Sequence, residues 1–206
     1  LDDDVAAFEP VAPPTQKGIF AYGGGTVTNL SNLVSSSGVV ASDTAGVGTA
    51  RNQLAAAGYG EDKAIFGYGD TGSYTAITNL VSNSGVVASD TTGVGTARDQ
   101  IAAAGYGSTG QALFGYGNTG AGFLSVTNLI SNSGVVSADT AGVGTTRSFL
   151  SATAYGADKA IFGYGNNGSN LSMTNLVSNS GVVAADVSGV GTARHALSAS
   201  RYGGDK

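Results

Sequence analysis

Four tandem copies of one unit fill residues 17–206, and this repetition constrains the fold more than any other feature. The segment Ser-Gly-Val-Val occurs at Ser37, Ser84, Ser133 and Ser180, with steps of 47, 49 and 47 residues. Gly-Val-Gly-Thr recurs at Gly46, Gly93, Gly142 and Gly189 with the same steps. Phe-x-Tyr-Gly recurs at Phe20, Phe66, Phe114 and Phe162. Repeat starts fall near residues 17, 63, 111 and 159. Outside the array lies only an acidic, Pro-containing arm, residues 1–16, which cannot form a core of its own and is read as an extended arm or linker.

Glycine is 34 of 206 residues, about twice the usual share. It interrupts every apolar segment, so runs such as Leu54–Gly58 are too short for a stable helix. The glycines do not recur every third residue, which excludes collagen. Between them the third unit gives short apolar or alternating stretches at 100–105, 112–116 and 124–130 and a fourth at Val135–Val136. Four short strands per unit, separated by Gly, Asn, Ser and Asp turns, predict an all-β fold with one propeller blade per unit. A β-solenoid is the alternative, with two coils per unit, since solenoid coils repeat about every 18–30 residues.

One unit reads Thr96-Ala97-Arg98, then Ile101–Gly107, Leu113–Gly117, Val126–Gly134 and Val135–Asp139. This pattern resembles the kelch repeat, in which an Arg precedes the first strand and a Gly-Gly pair ends the second. Here the pair is Tyr-Gly (Tyr68–Gly69, Tyr116–Gly117, Tyr164–Gly165), and Val stands where the family has Trp in the last strand. The resemblance implies a kelch-like β-propeller. The wording of the unit also resembles Gly-rich arrays of bacteriophage structural proteins and bacterial surface proteins, which implies an extracellular or virion-surface setting. The array starts on a second strand and ends on a first. The expectation is a velcro closure, with Ala196–Ala199 pairing with Ile19–Tyr22, in a four-bladed ring of one chain or an eight-bladed homo-oligomer of two.

Composition excludes several functions. The chain has no Cys and one His, which removes a disulfide scaffold, Cys-ligated zinc and a thiol nucleophile. The arm holds four acids and no base, and the rest is nearly neutral, so the basic stripe a nucleic-acid binder needs is missing. No apolar run approaches the ~18 residues of a membrane-spanning helix. Gly-x-Gly pieces such as Gly93–Gly95 are not followed by a helix and fail as phosphate loops. His195 stands alone, with Asn52, Asp99 and Ser148 at its counterpart positions. The expectation is a non-enzymatic structural or interaction protein without cofactor or metal, meeting other protein subunits or a surface glycan; a carbohydrate-binding propeller lectin is the alternative.

Residues shared by all copies are expected to be scaffold. Arg51, Arg98, Arg147 and Arg194 each follow an Asp (Asp43, Asp90, Asp139, Asp186) by eight residues, and pairing of the Arg with that carboxylate and nearby carbonyls would satisfy groups between blades. Asn32, Asn79, Asn128 and Asn175 read as turn or strand-end residues. Each Phe-x-Tyr pair, by its spacing of two, is expected on one face of its strand. Tyr59, Tyr106, Tyr155 and Tyr202, placed in turns, are candidates for stacking on sugars. The copies differ most just after Phe-x-Tyr-Gly, and Tyr74, Phe123, Leu124 and Asn170 in these loops are the candidate ligand or partner contacts.

Overall fold

The structure is a computed structural model that describes residues 17–203; the arm 1–16 lies outside the described residues. Those residues form eleven strands and no helix. The structural repeat begins with the strand after each Arg, near residues 55, 102 and 151, earlier than the expected starts near 63, 111 and 159, because that strand pairs with the one after it. Counted so, each repeat folds on itself into a small antiparallel meander. The first holds β1 (Gly18–Gly23) and β2 (Thr28–Val34). The second holds β3 (Ala55–Tyr59), β4 (Lys63–Gly67) and β5 (Thr78–Val81). The third holds β6 (Ala102–Tyr106), β7 (Gln111–Asn118) and β8 (Phe123–Ile130). The fourth holds β9 (Ser151–Tyr155), β10 (Lys159–Asn166) and β11 (Asn170–Val177).

The hairpins turn on left-handed residues: Gly60 and Glu61 (φ 56° and 69°) join β3 to β4, and Gly156 and Ala157 (φ 56° and 67°) join β9 to β10. The fourth strand of each unit is held at two isolated points, for example Val81–Val87 and Thr78–Thr91. Between those points the register slips by one residue, and the Asn79 side chain fills the gap by donating to the Ala88 carbonyl at 3.0 Å. A polar side chain has replaced part of the backbone ladder.

All strand ladders lie within a repeat and are antiparallel, so the rungs between successive coils that define a β-solenoid are not made. Successive sheets instead pack against one another, and the core is three apolar slabs between neighbouring sheets. In each slab a Tyr of one repeat meets the Phe of the next: Tyr22–Phe66, Tyr68–Phe114 and Tyr116–Phe162, with ring centroids 5.4, 5.1 and 5.1 Å apart. Single backbone bonds run down the array from Gln100 N–H to the Gln53 carbonyl, Phe149 to Gln100 and Ala196 to Phe149, at 2.9–3.0 Å.

Phe and Tyr of one motif therefore face opposite neighbours, contrary to the one-face expectation. The reason is backbone. Tyr22, Tyr68, Tyr116 and Tyr164 all sit at φ 63–64°, in the left-handed region that non-glycine residues rarely occupy. In three of the sheets the ladder shifts register at that Tyr. The bulge turns the ring over to the other side of the sheet. Gly67, between Phe66 and Tyr68, has to be glycine because a methyl group there would lie 2.5 Å from Phe114 Cζ.

The expected velcro pairing is not made. β1 pairs only with β2, residues 196–203 belong to no strand, and no hydrogen bond links the two segments. Each sheet is stacked on its sequence neighbour, and among the described residues nothing covers the two ends of the array: Phe20 is 65% exposed, while its counterparts Phe114 and Phe162 are fully buried.

Candidate functional site

The chemistry-bearing residues fall into two groups, one buried between repeats and one exposed on the loops. The buried group is built around Arg51, Arg98 and Arg147, all fully buried. Arg98 shows the pattern. Its Nε donates to the Tyr116 carbonyl at 2.7 Å, Nη1 to the Thr96 carbonyl at 2.9 Å and Nη2 to Asn128 Oδ1 at 2.7 Å. Its guanidinium lies 4.3 Å above the Tyr68 ring. Asn128 donates onward to Asp139 at 2.9 Å, and Asp139 accepts the backbone N–H and the hydroxyl of Thr96.

Asp139 also lies 3.9 Å from Arg98, and Asp186 the same distance from Arg147. Each Arg thus meets the Asp of the following repeat, not the Asp eight residues before it, because the Arg projects across the slab. Burial works against the Asp139 charge, but hydrogen bonds from Thr96 and Asn128 outweigh it and hold the carboxyl below its usual range. Burial pushes the Tyr68 and Tyr116 phenols up to about 12 despite the neighbouring Arg. The Asn residues, expected at turns or strand ends, lie within strands; Asn79, Asn128 and Asn175 are fully buried and link Arg to Asp. These groups largely satisfy one another, the Arg147 Nε being the one donor among the buried arginines without a partner, and their burial keeps them from a ligand.

Tyr59 and Tyr106, candidates for sugar stacking, are only 4% and 7% exposed. Their rings pack beneath Gly134 and Gly181 of the following repeat, which removes them as stacking surfaces. Tyr155 and Tyr202 are exposed, with no described residue packed over them as Gly134 and Gly181 pack over Tyr59 and Tyr106.

The loops between the second and third strands share one turn. Asp70, Asn118 and Asn166 each accept, through Oδ1, the N–H two residues on, from Gly72, Gly120 and Gly168 at 2.7–3.0 Å. Tyr74 is exposed and leans over Gly120 of the next loop. Phe123 and Leu124 are half-buried, and the Leu124 carbonyl accepts the Arg147 N–H, so Leu124 serves the scaffold in part. Asn170 is exposed and its Oδ1 lies 2.8 Å from His195 Nδ1. His195 in turn packs on Phe149, ring centroids 5.7 Å apart.

The structure therefore joins Asn170 to His195, which the sequence places 25 residues apart, and adds Phe149, which sequence reasoning missed. A signal existed: Gln53, Gln100, Phe149 and Ala196 are counterparts that differ between copies. They line a shallow hollow of about 190 Å³, below the ~300 Å³ of ordinary small-molecule pockets. Among the described residues no three His, Asp or Glu stand close enough to hold a metal ion.

Beneath the loops runs the row Asn52, Asp99, Ser148, His195. Asp99 is 2% exposed, and its Oδ1 has no partner. Burial, with the nearby Asp70 charge, pushes its carboxyl up to about 6 from an ordinary 3.8. The folded state thus holds the Asp99 proton more tightly than the unfolded chain. Stability from this group is full below about pH 4 and falls as pH rises towards 6. Asp99→Asn is expected to remove that fall and to stabilise the protein at pH 7 by about 2–3 kcal/mol. Thermal denaturation of both proteins from pH 4 to 8 measures this; parallel curves would refute it.

No protein-family model matches the chain, and no curated protein matches it in sequence. Among the described residues no helix is long and apolar enough to cross a membrane.

Proposed function

We propose that this chain is a non-enzymatic structural and interaction protein, an array of kelch-like blades on a virion or cell surface that meets protein subunits or a surface glycan through its loops. One contrast carries the proposal. Wherever two repeats meet, the Arg, Asn and Asp groups common to all copies are consumed in the contact, whereas the segments after Phe-x-Tyr-Gly, which differ between copies, are largely exposed loops on that scaffold. Tyr74, Phe149, Asn170 and His195 present aromatic and hydrogen-bonding surface there without an enclosed pocket, which suits a macromolecular partner.

Binding of the labelled full chain to an array of bacterial surface glycans and to whole bacterial cells tests it. Saturable binding is expected, weakened at least tenfold in the double variant Tyr74→Ser, Asn170→Ala. That factor corresponds to about 1.4 kcal/mol. Both side chains are exposed, so the melting temperature should stay within a few degrees of the parent's. Binding that survives the double substitution would move the contact surface elsewhere, and absence of binding to either target would sink the proposal.

A further inference from the structure

The interface between repeats is made three times within the chain, and its two halves are left over at the ends. One half offers Tyr, Arg and a Thr; the other offers Phe, Asn and Asp. At the C-terminal end the first half stands open as Tyr164, Arg194 and Thr192. Arg194 is exposed and keeps only the bond from Nη1 to the Thr192 carbonyl, at 3.1 Å. Its Nη2 lacks the Asn that Arg51, Arg98 and Arg147 each have. A methyl group on Gly115 would lie 2.6 Å from Phe162, but at the counterpart Gly163 only the repeat's own Thr174 is near. The cradle for a following Phe is present and unfilled among the described residues.

The N-terminal end carries the second half. Phe20 is 65% exposed. Asn32 donates to Asp43 at 2.8 Å, as in the other repeats, but among the described residues Asp43 lacks the Thr N–H and hydroxyl that Asp90, Asp139 and Asp186 accept. Among the described residues a strand is missing as well. β4, β7 and β10 each pair on one side with the strand that comes after the Arg, while β1 pairs only with β2. Residues 198–202 stand as far past Arg194 as β3 stands past Arg51, and they lie exposed and outside any strand. The β3–β4 register carried over would set Ser198 opposite Ala21 and Ser200 opposite Ile19.

We propose that a second copy of this chain docks head to tail on the first, seating Phe20 over Gly163 and Tyr164, and Asn32 and Asp43 against Arg194 and Thr192. Residues 198–202 of the first copy add as the missing strand beside β1 of the second. This deepens the structural reading above by naming the partner and its surface. The contact is heterologous, so it propagates as a chain or closes as a ring. The added strand covers an open sheet edge at each junction.

Sedimentation velocity of the full chain over rising concentration tests it, with two end-blocked variants, Phe20→Glu and Arg194→Glu. The parent is expected to form species heavier than 20.1 kDa, and each variant alone to remain at 20.1 kDa. Mixed, the two variants should form a one-to-one complex and nothing larger, since each keeps the end the other lacks. A folding defect does not produce that complementation. A parent that stays monomeric through the millimolar range, or variants that fail to complement, would overturn the proposal. So would a monomer whose 198–202 amides are protected from hydrogen exchange, which means the segment folds back on its own β1. The Tyr74, Asn170 double variant separates the two ideas: it should assemble like the parent even where it has lost glycan or cell binding.

Discussion

Replacing Arg98 by alanine is expected to cost the fold about 3–5 kcal/mol, while the same change at Arg194 costs less than about 1 kcal/mol. The two side chains share the local motif Gly-Thr-Ala-Arg and the same stacking on a Tyr ring, 4.3 and 4.0 Å from its centroid. They differ in their cover. Arg98 is closed off by the next repeat and donates to three oxygens, two of them in that repeat. Its removal leaves Asn128 Oδ1 and the Tyr116 carbonyl buried without donors and Asp139 without its cation. Arg194 is solvated, so water replaces the lost bonds. Arg98→Lys is expected to recover little, because an ammonium cannot place donors on all three oxygens in the planar fork the site requires. Urea denaturation measured by circular dichroism compares all three variants. Equal losses at 98 and 194 would show that the Arg acts within its own repeat.

The repeat period and the strand positions were legible because glycine and apolar segments alternate in the chain itself, whereas the point where one unit ends was not, since only the pairing of β3 with β4 shows it. The stretch 112–116 falls within β7, and 124–130 within β8. The fourth strand was legible as Val135–Val136 but not as two isolated bridges, since nothing local says that Asn128 will take over part of its ladder. The facing of Phe and Tyr was not legible either. Period-two alternation holds only while the backbone stays extended, and a left-handed Tyr breaks it. Equal spacing likewise could not reveal that Arg98 reaches forward to Asp139 and not back to Asp90, because both spacings are nearly constant from copy to copy. Among the loop residues, the sequence pointed to Tyr74 and Asn170 by their variation. It missed Phe149, whose exposure depends on how the repeats stack.

Phe114→Ala is expected to lower stability by about 3–5 kcal/mol, and Phe20→Ala by less than about 0.5 kcal/mol in the isolated chain. Phe114 is fully buried, edge-on to Tyr68 and resting on the bare backbone of Gly67. Truncation there leaves a cavity that cannot collapse readily, because Gly67 offers no side chain to move into it and the Tyr68 ring is held by the bond from its hydroxyl to the Val94 carbonyl, 2.9 Å. The position in the array adds to the effect. Repeat arrays are held by nearest-neighbour interfaces, and this one joins the second repeat to the third. Weakening it uncouples the two halves, so the unfolding transition should broaden or split as the midpoint falls by roughly 10 °C, at about 2–4 °C per kcal/mol for a chain of this size. Phe20 projects from the end of the array, where no described residue covers it, and its loss removes no slab. Thermal melts in dilute solution compare the two directly. A sharp single transition for Phe114→Ala at the parent's temperature would mean that the aromatic pair does not couple the repeats.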